Sequence, residues 1–106
     1  MSEDLNLDQD GHLIDTASWD RSVARQLAER LDITLSEEHW QILLAARAFY
    51  ADYDHIPRTR PFIKYLQGAL PALELTNAKL QLLFNTGVTV REIARVAGLP
   101  KPPHCL

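Results

Sequence analysis

The chain has 106 residues, of which 46% are hydrophobic and 24% charged, a composition that fits one folded domain and excludes both a disordered tail and a membrane span. Eleven Lys and Arg against 14 Asp and Glu leave a net charge of -3, so there is no overall electrostatic reason to bind nucleic acid. No apolar run approaches the roughly 20 residues that cross a bilayer. Met1-Ser2-Glu3-Asp4 is not the basic start of a secretory signal, which predicts a cytoplasmic protein.

The elements are read in chain order. Leu5 to Ile14 alternates around Asp10-Gly11, a pair suited to the positive backbone angles of a tight turn, and predicts a short N-terminal β-hairpin. Trp19, Val23, Leu27 and Leu31 recur every four residues, which predicts a first amphipathic helix capped near Thr16 or Ser18. Ser36 followed by Glu37 and Glu38 starts a second helix that should run to about Tyr53. Its apolar residues, from Trp40 to Phe49, cover more than one stripe, so it is expected at the centre of the fold. His39 and Trp40 read as core, with His39 hydrogen-bonded and Trp40 against the first helix.

Pro57 separates this from a third helix around Arg60 to Gly68, with Pro61 in its first turn, and Pro71 breaks the chain again. Thr76 caps a short fourth helix reaching Phe84, and Asn85-Thr86-Gly87 makes a turn. In the last helix Thr89 and Glu92 form a capping box, Val90, Ile93, Ala94 and Ala97 share a face, and Gly98 supplies a left-handed C-terminal cap. The expected fold is mainly α, a small orthogonal helical bundle over residues 1–98, followed by a mobile C-terminal arm over 99–106.

That arm, Leu99-Pro-Lys-Pro-Pro-His-Cys-Leu106, carries three prolines and can continue neither helix nor inner strand. At about 3.1 Å per residue, a polyproline-like segment carries the thiol of Cys105 some 25 Å from the body. A thiolate is the reactive form; Lys101 and protonated His104 favour it, while the nearby terminal carboxylate opposes it. Cys105 is the chain's only cysteine, so an internal disulfide is excluded, and with His12, His39 and His55 it makes no zinc spacing. No metal and no cofactor is expected.

Asp10-Gly11, Trp19, Ser36-Glu-Glu-His-Trp40, Phe49-Tyr50, the spacing of Pro57, Arg60 and Lys64, and above all Ala97-Gly-Leu-Pro-Lys-Pro102 with penultimate Cys105 resemble the TusE/DsrC sulfur-carrier family over nearly the whole chain. The resemblance implies a persulfide carrier on Cys105. DsrC proteins add a second cysteine eleven positions earlier, where this chain has Ala94, so the likeness is closer to single-cysteine TusE. It implies a TusBCD-like sulfur donor complex and a tRNA thiouridylase-like acceptor in 2-thiouridine synthesis, without membrane or direct nucleic-acid binding. Arg60 and Lys64, four residues apart on one helix face, then become a landing site for the arm or a partner. Where the family carries a Phe-Pro-x-Gly-Pro turn, this chain reads Asn77 to Val90 differently.

One rival reading comes from the same residues. Thr89 to Leu99 resembles the opening of a helix-turn-helix, which would make the chain a redox or sulfur-responsive regulator that binds DNA, with Arg58, Arg60, Lys64, Arg91 and Arg95 as a basic patch. The recognition helix that should follow the turn has only a proline-rich segment in its place. An ordinary enzyme fits less well, since no catalytic triad, phosphate loop or paired-carboxylate motif is present. A carrier needs only a nucleophilic sulfur, reach and recognition surfaces, because its partners supply the geometry.

Overall fold

The computed structural model describes residues 6–9, 11–53, 59–84 and 89–100. Its helices are α1 (Arg21–Glu29), α2 (Glu37–Tyr53), α3 (Thr59–Ala69), α4 (Asn77–Leu83) and α5 (Thr89–Val96), with short 3-10 turns at Thr16–Ser18 and Pro71–Leu73. The molecule is mainly helical, as the periodicity predicts.

The expected hairpin is reduced to one antiparallel bridge, Leu7 opposite Leu13, and no strand forms among the described residues. Asp8 shapes the turn. Its carbonyl accepts from Gly11 N at 3.0 Å and its carboxylate accepts from His12 N at 3.0 Å, so the side chain takes part in the turn. Gly11 turns the chain at φ 85, and a Cβ there would overlap the Arg95 guanidinium of α5. Leu7 and Leu13 still serve the core, packing with Val23 and Leu27 of α1.

The cap of the first helix differs from expectation. Asp20, in extended conformation, accepts from Val23 N at 2.9 Å and caps α1. Thr16 and Ser18 belong instead to the preceding 3-10 turn, which Asp15 caps. Trp19 lies between the two elements and Leu31 beyond the helix. At its other end α1 closes in a Schellman arrangement: Ile33 N bonds Ala28 O, Asp32 N bonds Glu29 O, and Asp32 takes the left-handed position at φ 58.

Ser36 begins α2 as predicted, with a histidine where a capping box usually has an acid. Ser36 N donates to His39 Nδ1 at 3.0 Å, so Nδ1 is the bare nitrogen and Nε2 carries the proton. Nε2 donates to the Leu83 carbonyl at 2.6 Å, and the ring meets Phe84 edge-on at 5.1 Å. One histidine therefore caps α2 and ties it to the end of α4, whose own cap is Thr76 as expected. At the other end of α2, Phe49 meets Phe62 and Tyr65 of α3 at 5.6 and 4.7 Å.

The centre is shared. α5 packs against α1, α2 and α3, while α2 packs against α3 and α5. Ile42, Leu43, Ala46, Phe62, Leu66, Leu80, Phe84, Ile93, Ala94, Val96 and Ala97 fill one continuous core. No described helix is long and apolar enough to cross a membrane.

Candidate functional site at the end of helix α5

Helix α5 leads into the segment on which sequence reasoning places the chemistry. Cys105, Lys101 and His104 lie outside the described residues. Arg60 stands in the first turn of α3, its side chain outside what is described, and Lys64 is exposed one turn later. Both ride on a helix that packs against α5. Among the described residues no group of His, Cys, Asp or Glu can hold a metal ion.

What the structure defines closely is the root from which the C-terminal segment departs. The final turn of a helix leaves four carbonyls without helical partners; here these belong to Ala94, Arg95, Val96 and Ala97. The first two are closed by the backbone: Leu99 N bonds Ala94 O at 2.8 Å and Gly98 N bonds Arg95 O at 3.3 Å. This is a second Schellman cap, with Gly98 left-handed at φ 73 as its spacing predicts. The other two are taken by side chains from far along the chain. Trp19 Nε1 donates to Val96 O at 2.9 Å, and Arg47 Nη1 donates to Ala97 O at 2.8 Å.

One further carbonyl is held beyond the helix. His12 Nδ1 lies 2.9 Å from Leu99 O; a carbonyl only accepts, so Nδ1 carries the proton. His12 is fully buried, and its Nε2 has no hydrogen-bond partner among the described residues. Leu99, the first residue of the expected arm, is itself 1% exposed and part of the core.

Arg47 joins these contacts together. Its second terminal nitrogen donates to Thr16 O at 3.0 Å, and its guanidinium carbon lies 4.5 Å over the Trp19 ring. Burial disfavours its charged form and lowers its pKa, an effect that the two carbonyls and the indole face offset. Trp19 in turn lies edge-on to Trp40 at 6.5 Å and presses on Gly98. The root is thus fixed by groups from the N-terminal turn, the segment before α1, and α2.

Sequence reading missed His12 and Arg47 as root residues and took Trp19 for a helix position. Arg47 did leave a signal: it is the one charged residue in the run from Ile42 to Tyr50, and a cation inside an apolar run must find buried acceptors. The likeness to DsrC places Ala94 where a second cysteine would stand, and the structure puts that side chain fully in the core.

The comparisons with known proteins converge. Residues 1–106 match the family described as DsrC like protein. Sulfurtransferase TusE of Buchnera aphidicola is 34% identical over 98% of this chain and 90% of its own length. Sulfurtransferase TusE of Sodalis glossinidius is 35% identical over 97% of this chain and 94% of its own. The crystal structure of the oxidized gamma-subunit of dissimilatory sulfite reductase, DsrC, from Archaeoglobus fulgidus superposes with TM-score 0.79 at 33% identity, covering 96% of this chain and 92% of that one. On these matches along its whole length, and on a helical fold held in common, the chain belongs to the DsrC-like protein family.

Proposed function

We propose that this protein is a sulfur carrier that accepts and delivers persulfide sulfur on Cys105. The observation that carries the reading is its near full-length likeness to sulfurtransferases named TusE, at 33 to 35% identity. The anchored root supports it physically. A carrier must present its reactive atom to other proteins from a defined place, and α5 ends with every terminal carbonyl bonded, so the segment beyond Leu99 starts from a fixed position and direction.

Transfer proceeds in two displacements. The Cys105 thiolate attacks the outer sulfur of a donor persulfide; the new S–S bond forms as the donor's S–S bond breaks, and the donor cysteine leaves as thiolate. An acceptor thiolate then attacks the outer sulfur on Cys105, which departs as thiolate in its turn. Sulfur moves as a formally neutral atom with no external oxidant or reductant. Lys101 and His104 favour the thiolate and the persulfide anion, and Arg60 with Lys64 gives a positive landing surface for the segment or for a partner. The finer reading is a TusE-like role in the cytoplasm, with a TusBCD-like donor complex and a tRNA thiouridylase-like acceptor. The DNA-binding alternative finds no favouring observation, and among the described residues no helix follows α5.

The test is intact-mass spectrometry after mixing with a persulfidated donor. Cys105 should gain about 32 Da, the mass of one sulfur, and Cys105→Ser should gain none. Sulfur uptake by Cys105→Ser, or no uptake by the unaltered protein from any persulfide donor, overturns the carrier reading.

A further inference from the structure

α1 presents two cations that form no ion pair among the described residues. Arg21 and Arg25 are exposed and one turn apart, and Glu29 stands one turn beyond Arg25. Their guanidinium groups lie instead over the ring of buried Trp40, 4.6 and 5.8 Å from its centroid. A guanidinium held over an aromatic ring keeps its in-plane N–H donors for carboxylates. In a chain of net charge -3, two arginines held on one aromatic surface form a local exception.

Beside them is an open pocket of about 260 Å³ lined by Arg25, Ala28, Glu29, Ile33, Thr34 and Leu35. Ala28, Ile33 and Leu35 give it an apolar floor, and its size suits one or two side chains rather than a cofactor. We propose that Arg21, Arg25 and this pocket form the docking surface for an acidic segment of the protein that exchanges sulfur with Cys105. Carboxylates pair with the two guanidinium edges, and one aliphatic side chain enters the pocket. The occupant is a protein segment rather than RNA, because Ala28, Ile33 and Leu35 in the pocket reward a hydrocarbon side chain, which a phosphate backbone lacks.

The surface lies where a carrier needs it, and in that respect the proposal rests on the carrier reading. Trp40 touches Trp19 at 6.5 Å, and Trp19 bonds the root of the C-terminal segment at 2.9 Å. Three successive side-chain contacts therefore link the arginines to the root. The six residues that follow Leu99 as far as Cys105 can span up to roughly 19 Å at about 3.1 Å each, a reach on the scale of a partner seated on α1.

The test uses the full chain and a fluorescein-labelled peptide of Asp and Glu residues around a single Leu, read by fluorescence anisotropy. The paired substitution Arg21→Gln and Arg25→Gln should weaken binding about tenfold or more. Replacing the peptide's Leu by Ala, or filling the pocket with Thr34→Trp, should each weaken it severalfold. Arg21→Lys with Arg25→Lys, which keeps the charge, should retain part of the affinity, and thermal unfolding confirms that each variant folds. Unchanged binding by the Gln pair overturns the proposal. So does indifference to the peptide's Leu together with equal or tighter binding of a short single-stranded RNA, which would mark a polyanion surface. Loading of Cys105 by inorganic polysulfide needs no docking and should be the same in the Gln pair. If that loading fails in the unaltered protein, the carrier reading falls, and the peptide result still decides the docking surface.

Discussion

Trp19 covers Gly98 so closely that a Cβ built on the glycine would stand 2.8 Å from Trp19 Cγ, well inside any carbon–carbon contact. The absence of a side chain at this position is what lets the indole reach past it to bond Val96 O. Gly98 also sits at φ 73, where an L-residue is strained. Backbone angle and close approach thus require the same residue.

Gly98→Ala should therefore destabilise the fold by about 2 to 3 kcal/mol, through left-handed strain and displacement of Trp19 together. Denaturant unfolding checks the magnitude. Because the substitution shifts the root, it should also slow sulfur loading of Cys105 from a protein donor at temperatures where the variant remains folded.

Arg47→Met keeps the hydrocarbon length and removes both donors, leaving Ala97 O and Thr16 O without their partner. A loss of about 1 to 2 kcal/mol is expected from the unmet Ala97 carbonyl, since Thr16 O keeps a bond from Trp19 N at 3.4 Å. Arg47→Lys, with one terminal nitrogen, should recover part of this. Equal stability of both variants with the unaltered protein would show that the guanidinium does not fix the root.

The two buried histidines should respond differently to the same change. His39→Phe loses two bonds, leaving the Ser36 N–H and the part-buried Leu83 carbonyl without this partner, for a cost of about 2 kcal/mol. His12→Phe leaves the buried Leu99 carbonyl without this one bond but also removes an Nε2 that has no partner among the described residues, so its cost should be lower, near about 1 kcal/mol. Paired thermal denaturation of the two variants distinguishes them.

Asp32 fills at α1 the cap position that Gly98 fills at α5, at φ 58. Asp32→Gly removes the Cβ strain and should stabilise the protein by about 0.5 to 1 kcal/mol, net of the greater freedom of glycine in the unfolded chain. An unchanged or lower denaturation midpoint would show that the aspartate's own side chain holds the turn.

Local signals made most of the helices legible. Ser36 before two glutamates, Thr76 and Gly98 each act within a few residues, and the helices begin and end beside them; the side chain of Thr89, of the expected capping box, lies outside what is described. The start of α1 was ambiguous for the same reason: Asp15, Thr16, Ser18 and Asp20 are all capping residues packed into six positions. Two successive turns share them, with Asp15 capping one and Asp20 the other. Of the hairpin, the alternation around Asp10-Gly11 gave the turn and the pairing of Leu7 with Leu13, while the Asp8 side-chain bond to His12 N is a turn contact that alternation does not show. The root of the C-terminal segment was hidden, since its contacts join His12 to Leu99, Trp19 to Val96 and Arg47 to Ala97, and no local pattern announces partners so distant in sequence.

The chain contains two tryptophans, and both occupy informative places: Trp19 against the root of the C-terminal segment, Trp40 beneath the arginines of α1. The protein thus carries its own optical probes. Replacing either indole by phenylalanine leaves an emission signal from the other, so persulfide loading and partner capture can be followed by separate changes in intrinsic fluorescence, without any attached dye.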